Sequence, residues 1–234
     1  MQKSSLAIIA VGAILVQGLP YLRSNDPKTA FGFKGFDQVS VSNGIQLTVA
    51  LADDFAIQAV AKQGDLKRLR IKRRGDTLLV ERKRGWGFLN WFIVDEFHVT
   101  VEMPNLKELE ASGGANAQIT RASSDVVEAS SSASVQDQNL TVASFTVDAS
   151  SGANISPTGS GYFVKSDVSS GANIDLSSLR CATATLEASS GANLSAFASA
   201  EAKAEASSGA SNQIYEGGTF ASEMSSGGTV RPAN

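Results

Sequence analysis

A seven-residue motif recurs seven times in the C-terminal half of the chain and constrains its fold more than any other feature. The copies are EASGGAN at 110, EASSSAS at 128, DASSGAN at 148, DVSSGAN at 167, EASSGAN at 187, EASSGAS at 205 and EMSSGGT at 223, and successive copies lie 18 to 20 residues apart. This period is too short for a propeller blade or a helix-pair repeat and fits one coil of a β-solenoid. Ser, Gly, Asn and Thr are also poor helix formers.

The residues around each motif alternate with a period of two. Apolar residues stand at even distances from the second motif position, so they are predicted to face inward, and the acidic first residue faces outward. The larger residues expected in the core are Leu140, Phe145, Phe163 and Phe197. Tight turns are predicted at the Ser-Gly or Ser-Ser pairs, because Gly accepts a positive φ without steric cost. We therefore predict an all-β solenoid of two facing sheets with tight SSGAN turns and about 19 residues per coil.

The chain divides into three segments. Residues 1–22 are predicted to form a signal peptide, because a short start with Lys3 precedes an apolar run at 6–16, which is shorter than the ~20 residues of a membrane-spanning helix. An uncleaved signal anchor is the alternative. Residues 23–35 are predicted to form a linker and 36–234 a solenoid domain, with irregular starting coils at 36–104 that cap it and seven Ser/Gly/Ala-rich coils at 105–234.

Four segments of the chain resemble the head GIN domain family of auto-transporter adhesins. They are FDQVSVSNGIQLTVAL near the domain start, RRGDTLLVERKRGW, VTVEMPNLKELEASGGAN at the junction, and the repeated SSGAN turns. The resemblance covers about residues 36–230. It implies a right-handed β-helix-like fold in a secreted or envelope protein of bacteria, with no accepted catalytic residues and no binding residues to transfer.

Charge is unevenly distributed along the chain. Residues 62–84 contain ten basic and three acidic residues, whereas residues 105–234 contain six basic and thirteen acidic residues. The basic stretch leads into the aromatic segment GWGFLNWFIVDEF, and such a combination is typical of contact with lipid headgroups or anionic sugars. The candidate contact residues are Arg70, Lys72, Arg73, Arg74, Arg82, Lys83, Arg84, Trp86, Phe88, Trp91 and Phe92. Alternatively, the aromatic segment is a hydrophobic lid and the basic residues protect an edge strand.

The outward acids of the seven motifs are predicted to form one column along the solenoid. They are Glu110, Glu128, Asp148, Asp167, Glu187, Glu205 and Glu223. Like charges on neighbouring strands repel, so a counter-charge is one expectation. Calcium or the basic strand of a second subunit would supply it. The alternative is a set of solvent-facing acids that keep a Ser-rich sheet soluble, and no metal site is assigned because the repeat of calcium-binding β-helices is absent.

Motifs for catalysis and cofactor binding are missing from the sequence. It lacks G-x-S-x-G, S-x-x-K, GxGxxG and GxxxxGK[ST], and its one Cys and one His exclude a disulfide framework and a usual zinc site. Cys181 is predicted to be a small buried residue and His98 an exposed strand residue. We therefore expect no enzyme activity and no cofactor. Nucleic acid is not an expected partner, because the whole domain is not basic.

The function expected from these features is that of an exported, non-enzymatic adhesion or binding module. It would lie in the periplasm or at the cell surface or outer membrane of a bacterium and bind an extended partner such as a polysaccharide or an envelope protein. Two alternatives remain: a periplasmic structural or signalling component that contacts membrane or protein through residues 62–97, and a carbohydrate-active β-helix enzyme. Homo-oligomerisation through the final coil is a further hypothesis.

Overall fold

The computed structural model describes residues 28–83, 95–120, 125–215 and 218–233. Within them the strands are β1 Lys28–Phe31, β2 Gln38–Val41, β3 Gln46–Leu51, β4 Ala56–Gln63, β5 Leu69–Arg74, β6 Thr77–Arg82, β7 Glu96–Met103, β8 Glu108–Ala111, β9 Asn116–Thr120, β10 Val126–Ala129, β11 Ser134–Ala149, β12 Asn154–Val168, β13 Asn173–Ala188, β14 Asn193–Ala206, β15 Ser211–Tyr215, β16 Thr219–Met224 and β17 Thr229–Ala233. One turn of 3-10 helix at Leu66–Arg68 precedes β5. No helix within these ranges is long and apolar enough to span a bilayer.

The strands stack into a β-solenoid of about six turns, with coils roughly 19 residues apart. We call the strands that enter a tight turn the entry sheet and those that leave it the exit sheet. The entry sheet runs in the order β5, β6, β2, β8, β10, the second halves of β11 to β14, and β16. The exit sheet runs in the order β1, β4, β7, β3, β9, the first halves of β11 to β14, β15 and β17. The predicted two-sheet solenoid is confirmed.

Each tight turn has two central residues with positive φ, which is the pattern of a type I′ turn. At one of them Ser170 has φ +53° and Gly171 has φ +70°, and the Ala172 N–H donates to the Ser169 carbonyl at 3.0 Å. The Gly171 N–H donates to the Ser190 carbonyl of the next coil at 3.1 Å, so the hydrogen-bond ladder continues through the turn. Glycine suits this position because of its positive φ, since a Cβ added at Gly171 would meet no atom within 4 Å.

An eighth turn of the same kind lies in the first half of the chain, outside the seven motifs. Asn43 and Gly44 have φ +63° and +74°, and the Gly44 N–H donates to the Gly113 carbonyl at 3.0 Å. The segment VSVSNGIQ therefore forms a coil that stacks directly on the first Ser-rich one. Its signal was present in the sequence, since the alternation of VSV and the Asn-Gly pair match the later motifs.

The core lies between the two sheets and follows the predicted parity. Alanines of the motifs line it near the turns, and Leu140, Phe145 and Phe197 are buried as predicted. The prediction for Phe163 was wrong: it is not buried, and the inward position of that strand is taken by Val164, 1% exposed. Phe163 lies five residues, an odd number, before the motif position Val168, so the alternation of that strand turns it outward beside Ser144 and Thr183.

One end of the stack is closed by strands from the first half of the chain. Strand β2 pairs with β6 on one side and with β8 on the other, and β3 lies between β7 and β9 in the same way. Beyond them, β5 and the pair β4 and β1 run antiparallel to their neighbours. Strand β1 lies within residues 23–35, where the sequence suggested a linker. The remainder of that segment before residue 28, and the expected signal peptide, lie outside the described residues.

Candidate functional site

The outward acids of the seven motifs occupy directly paired positions on consecutive strands of the entry sheet. Glu110 pairs with Glu128, and each later acid pairs with the next one up to Glu223. Ser40 takes the same position on β2. The geometry expected from the repeat spacing is therefore present, and we call these seven acids the acid column. It spans roughly 34 Å from the level of Ser40 to Glu223 at the strand spacing of ~4.8 Å.

Partial burial, with a smaller contribution from neighbouring acids, raises the pKa of two members of the acid column. Partial burial raises the pKa of Glu128, and the charges of Glu108, Asp148 and Glu110 raise it further. Burial is also the largest cause of the raised pKa of Asp148, to which the Asp167 charge adds. Both shifts mean that the charged forms are disfavoured where acids stack on one another.

Two contacts within the chain stabilise individual members of the acid column. Lys203 lies on the outward position two residues before Glu205, and its Nζ lies 2.7 Å from Glu205 Oε1. The Ser40 hydroxyl donates to Glu110 Oε2 at 2.8 Å. A counter-charge for the acid column was one expectation from the sequence. At Glu205 it is supplied by Lys203 of the same chain.

Shallow grooves run beside the acid column, next to the tight turns. A groove of about 300 Å³ borders Glu110, Glu128, Asp148 and Asp167, and one of about 260 Å³ borders the later acids. Within the described ranges, no cluster of three or more His, Cys, Asp or Glu side chains is arranged to hold a metal ion. The carboxylates of the column stand on successive strands along its length.

The basic strand β5 lies at the end of the same entry sheet. Lys72 pairs with Leu79, Leu79 with Ser40, and Ser40 with Glu110, so the basic strand extends the row of the acid column. The uneven charge of the sequence thus becomes a charge gradient along the solenoid. Arg70, Lys72, Arg73 and Arg74 are all exposed on this strand.

Most of the predicted basic contact residues also have partners in the fold. Glu81 Oε1 lies 3.3 Å from Nη1 of Arg70 and 3.3 Å from Nζ of Lys72. Further contacts join Arg73 Nη1 to the Lys34 carbonyl at 2.7 Å, Arg82 Nη1 to Asp95 Oδ2 at 3.8 Å, and Lys83 Nζ to the Lys67 carbonyl at 2.6 Å. The remaining candidates of the basic-aromatic segment lie outside the described residues; they are Arg84, Trp86, Phe88, Trp91 and Phe92.

The two residues with the greatest chemical reactivity do not form a catalytic group. Cys181 is 1% exposed, and burial raises the pKa of its thiol to about 11, so it is a core residue as predicted. His98 is on the outward parity of β7, but its side chain is only 19% exposed because its ring packs against Glu96, with Nε2 3.0 Å from Oε1. The prediction of an exposed histidine was therefore only partly right.

A second outward surface, on the exit sheet, was not predicted from the sequence. Two rows of side chains cross five neighbouring strands there and border a groove of about 270 Å³. The first row is Val60, His98, Gln46, Asn116 and Ser134, and the second is Gln58, Thr100, Thr48, Gln118 and Gln136. We call this the amide groove. Its signal was the alternation of Gln, Thr and Asn in QLTVAL and NAQIT, but the pairing of strands distant in sequence was needed to join them.

The family comparison and the structural comparison both find proteins that are described as adhesins. The family described as "Putative auto-transporter adhesin, head GIN domain" matches residues 35–218. No curated protein sequence matches the chain significantly.

Three crystal structures are similar to this chain in fold. A "putative adhesin" from Bacteroides fragilis is 13% identical, with a TM-score of 0.74 over 90% of this chain and 97% of that one. A "putative adhesin" from Parabacteroides distasonis is 14% identical, with a TM-score of 0.69 over 88% and 96%. A "putative lipid binding protein" from the same species is 14% identical, with a TM-score of 0.66 over 90% and 98%. At such identities the likeness concerns the fold.

Proposed function

The chain belongs to the head GIN domain family of auto-transporter adhesins, and we propose that it is an exported, non-enzymatic adhesion module of the bacterial envelope. Its partner would be an extended molecule such as a polysaccharide or an envelope protein. The observation that carries this proposal is the unbroken pairing of outward positions from Ser40 to Glu223. A surface that repeats every ~4.8 Å suits a partner that is itself long and repetitive.

The rigidity of this surface supports a binding role. Backbone ladders hold every coil to the next, and the tight turns are joined to one another by their own hydrogen bonds. The outward side chains are therefore positioned before a partner arrives, which lowers the entropy cost of binding. Many weak contacts along one molecule then add up to useful affinity.

Location at the cell surface or in the periplasm is part of the proposal. It is supported by the predicted signal peptide at 1–22 and by the adhesin description of the family.

The charge gradient of the entry sheet also favours a head-to-tail arrangement of copies, in which the acid column of one meets β5 of another. Homo-oligomerisation is proposed in this head-to-tail form.

A periplasmic component that contacts membrane or protein is the second candidate function. The exposed basic residues of β5 favour it, and one protein of similar fold is described as lipid binding. Against it, Glu81 pairs with both Arg70 and Lys72 and so reduces the free positive charge. A carbohydrate-active enzyme would need two carboxyl groups as acid and base, and neighbouring members of the acid column are the candidate pair. The cleavage assay below tests this alternative.

Incubation of the full chain with a panel of polysaccharides tests the proposal. The panel contains polygalacturonate, alginate, hyaluronan and neutral glucans, and each reaction is followed by co-sedimentation for binding and by mass spectrometry for cleavage. Retention of a polysaccharide without new chain ends is the expected result. Release of shortened products would contradict a non-enzymatic module and favour the enzyme alternative.

A further inference from the structure

The amide groove differs in charge from the entry sheet. Eight of the ten residues in its two rows carry amides or hydroxyls, the other two being His98 and the buried Val60, and its floor is formed by strands β4, β7, β3, β9 and β11. The ionisable groups nearby lie together at one end, where Glu96 Oε1 is 3.6 Å from Lys62 Nζ and 3.0 Å from His98 Nε2. The side chains that border the rest of the groove are neutral hydrogen-bond donors and acceptors.

The amides of the groove are free to bind a ligand. Within the described parts of the chain, the side-chain amides of Gln46, Gln58, Asn116, Gln118 and Gln136 make no hydrogen bond to another residue. Further along the same sheet, three outward amides behave differently. Asn173 Nδ2 donates to Asn154 Oδ1 at 3.2 Å, and Asn193 Nδ2 donates to Asn173 Oδ1 at 3.0 Å. One part of the exit sheet thus satisfies its own amides, whereas the groove leaves them unpaired.

The backbone beneath the groove is fully used. Each of its five strands pairs with a neighbour on both sides, β4 with β1 and β7, and β11 with β9 and β12. A peptide therefore cannot bind there by adding a strand, which is the usual way in which sheets recruit extended peptides. Recognition must instead use the side-chain rows.

We propose that the amide groove binds a neutral, extended glycan chain lying across the five strands. A sugar chain offers hydroxyls that both donate and accept, which match amides and hydroxyls on each side of the groove. The rows repeat every ~4.8 Å over five strands, which is close to the length of one sugar unit in an extended chain. This inference rests on the proposed function, since it names the partner class and the face for an adhesion module.

Calorimetry with four neutral hexasaccharides tests the inference. The probes are cellohexaose, xylohexaose, mannohexaose and maltohexaose, and polygalacturonate is the charged comparison. Gln118 is the fourth of the five residues of the second row, and Gln46, the third residue of the first row, lies diagonally across from it on the neighbouring strand. Gln118→Ala should weaken binding of the preferred hexasaccharide about five- to tenfold, and the double variant with Gln46→Ala more than about 30-fold, since a hydrogen bond contributes modestly to affinity.

Gln213→Ala is the matched control, because Gln213 lies outward on the same sheet and outside the groove. Unchanged melting temperatures separate a lost contact from a damaged fold. Binding that is weakened by Gln118→Ala and unaffected by Gln213→Ala supports the inference. Equal weakening by both variants, or no binding of any hexasaccharide at about 1 mM, overturns it.

The test distinguishes this inference from the proposed function. Binding of polygalacturonate that is lost with Arg74→Ala, together with no binding of any neutral hexasaccharide, would overturn the glycan groove and leave an adhesion module that uses its basic strand. Failure of every polysaccharide, combined with a location inaccessible from outside the cell, would overturn both.

Discussion

Asp137 of β11 pairs with Pro157 of β12 in the core of the solenoid, and among the described residues only the backbone of Gln138 approaches its carboxyl group, without a well-formed hydrogen bond. Asp137 is 1% exposed. Ile119 occupies the paired position on the other side. Since a proline has no N–H, the neighbouring strand supplies no donor from its backbone at this level. Burial accordingly raises the pKa of Asp137 to about 7.

The buried carboxyl of Asp137 makes the stability of the protein pH-dependent. The folded state holds the proton up to about pH 7, whereas the unfolded chain releases it near 3.8. The contribution of Asp137 is therefore fully present below pH 3.8 and is lost as the pH rises through 7. Asp137→Leu should raise the free energy of unfolding at pH 8 by up to about 4 kcal/mol and flatten the profile between pH 4 and 8, as measured by urea unfolding.

Asp175 is the matched control for this pH profile. Partial burial acts to raise its pKa, but hydrogen bonds from Ser177 and Ser195 outweigh it, so the pKa is lowered. Asp175→Asn should therefore remove stability that is present above pH 3.8 and lost as the pH falls. An unchanged pH profile in Asp137→Leu would contradict the assignment of a buried carboxyl at this position.

Two glycines with positive φ, Gly171 in a tight turn and Gly159 within β12, should respond differently to substitution by alanine. At Gly171, with φ +70°, an added Cβ meets no atom within 4 Å. Gly171→Ala should therefore cost only the strain of the left-handed conformation, about 1–2 kcal/mol. At Gly159 an added Cβ would overlap the backbone of Leu140, and Gly159→Ala should cost more than about 3 kcal/mol.

Ser170→Gly is the control, since Ser170 is a non-glycine residue at φ +53° in the same turn. Ser170→Gly should leave the free energy of unfolding unchanged or raise it slightly. Glycine relieves the backbone strain of the folded state, but it also increases the entropy of the unfolded chain, and the two effects oppose each other. Thermal unfolding measures all three variants. Equal costs for Gly171→Ala and Gly159→Ala would contradict the stacked-turn geometry.

The acid column should destabilise the fold in a salt-dependent way. Glu128→Gln and Asp148→Asn each remove one carboxylate from a pair on neighbouring strands. Each should therefore raise the melting temperature at low salt, which corresponds to a gain of about a few tenths of a kcal/mol in the free energy of unfolding. The gain should shrink at high salt, where surface charges are screened. Lys203→Ala should act in the opposite direction, because it removes the partner of Glu205.

The membrane-contact alternative makes a separate prediction about the aromatic segment. If that segment grips lipid, Trp86→Ala combined with Trp91→Ala should abolish co-sedimentation of the full chain with phosphatidylglycerol vesicles. Tyr162→Ala is the control, since Tyr162 is 68% exposed on a different part of the solenoid. Failure of the wild-type chain to bind these vesicles would remove the alternative.

The sequence predicted those parts of the molecule that depend on local alternation. The motif spacing and its period of two were enough to predict the coils, the inward alanines and the acid column, because parallel stacking repeats one local pattern. Phe163 was misplaced because its aromatic character was given more weight than its odd distance from Val168, which turns it outward.

The amide groove and the first coils depend on contacts between segments that are distant in the chain. Ser40 hydrogen-bonds to Glu110, 70 residues away, because β2 inserts between β6 and β8. Gln46 and Gln118 come to lie on neighbouring strands because β3 pairs with β9. Alternation predicts which residues face outward, but it does not predict which strands will lie side by side.

Protease shaving of intact cells, followed by fractionation of the periplasm and both membranes, tests the central claim most directly. An antibody against the repeat region 105–234 reports the chain in each fraction, and a known periplasmic protein controls for cell lysis. An adhesion module should be exported and cleaved from outside the cell. Full protection of the chain in intact cells, with recovery in the periplasmic fraction, would contradict adhesion at the cell surface.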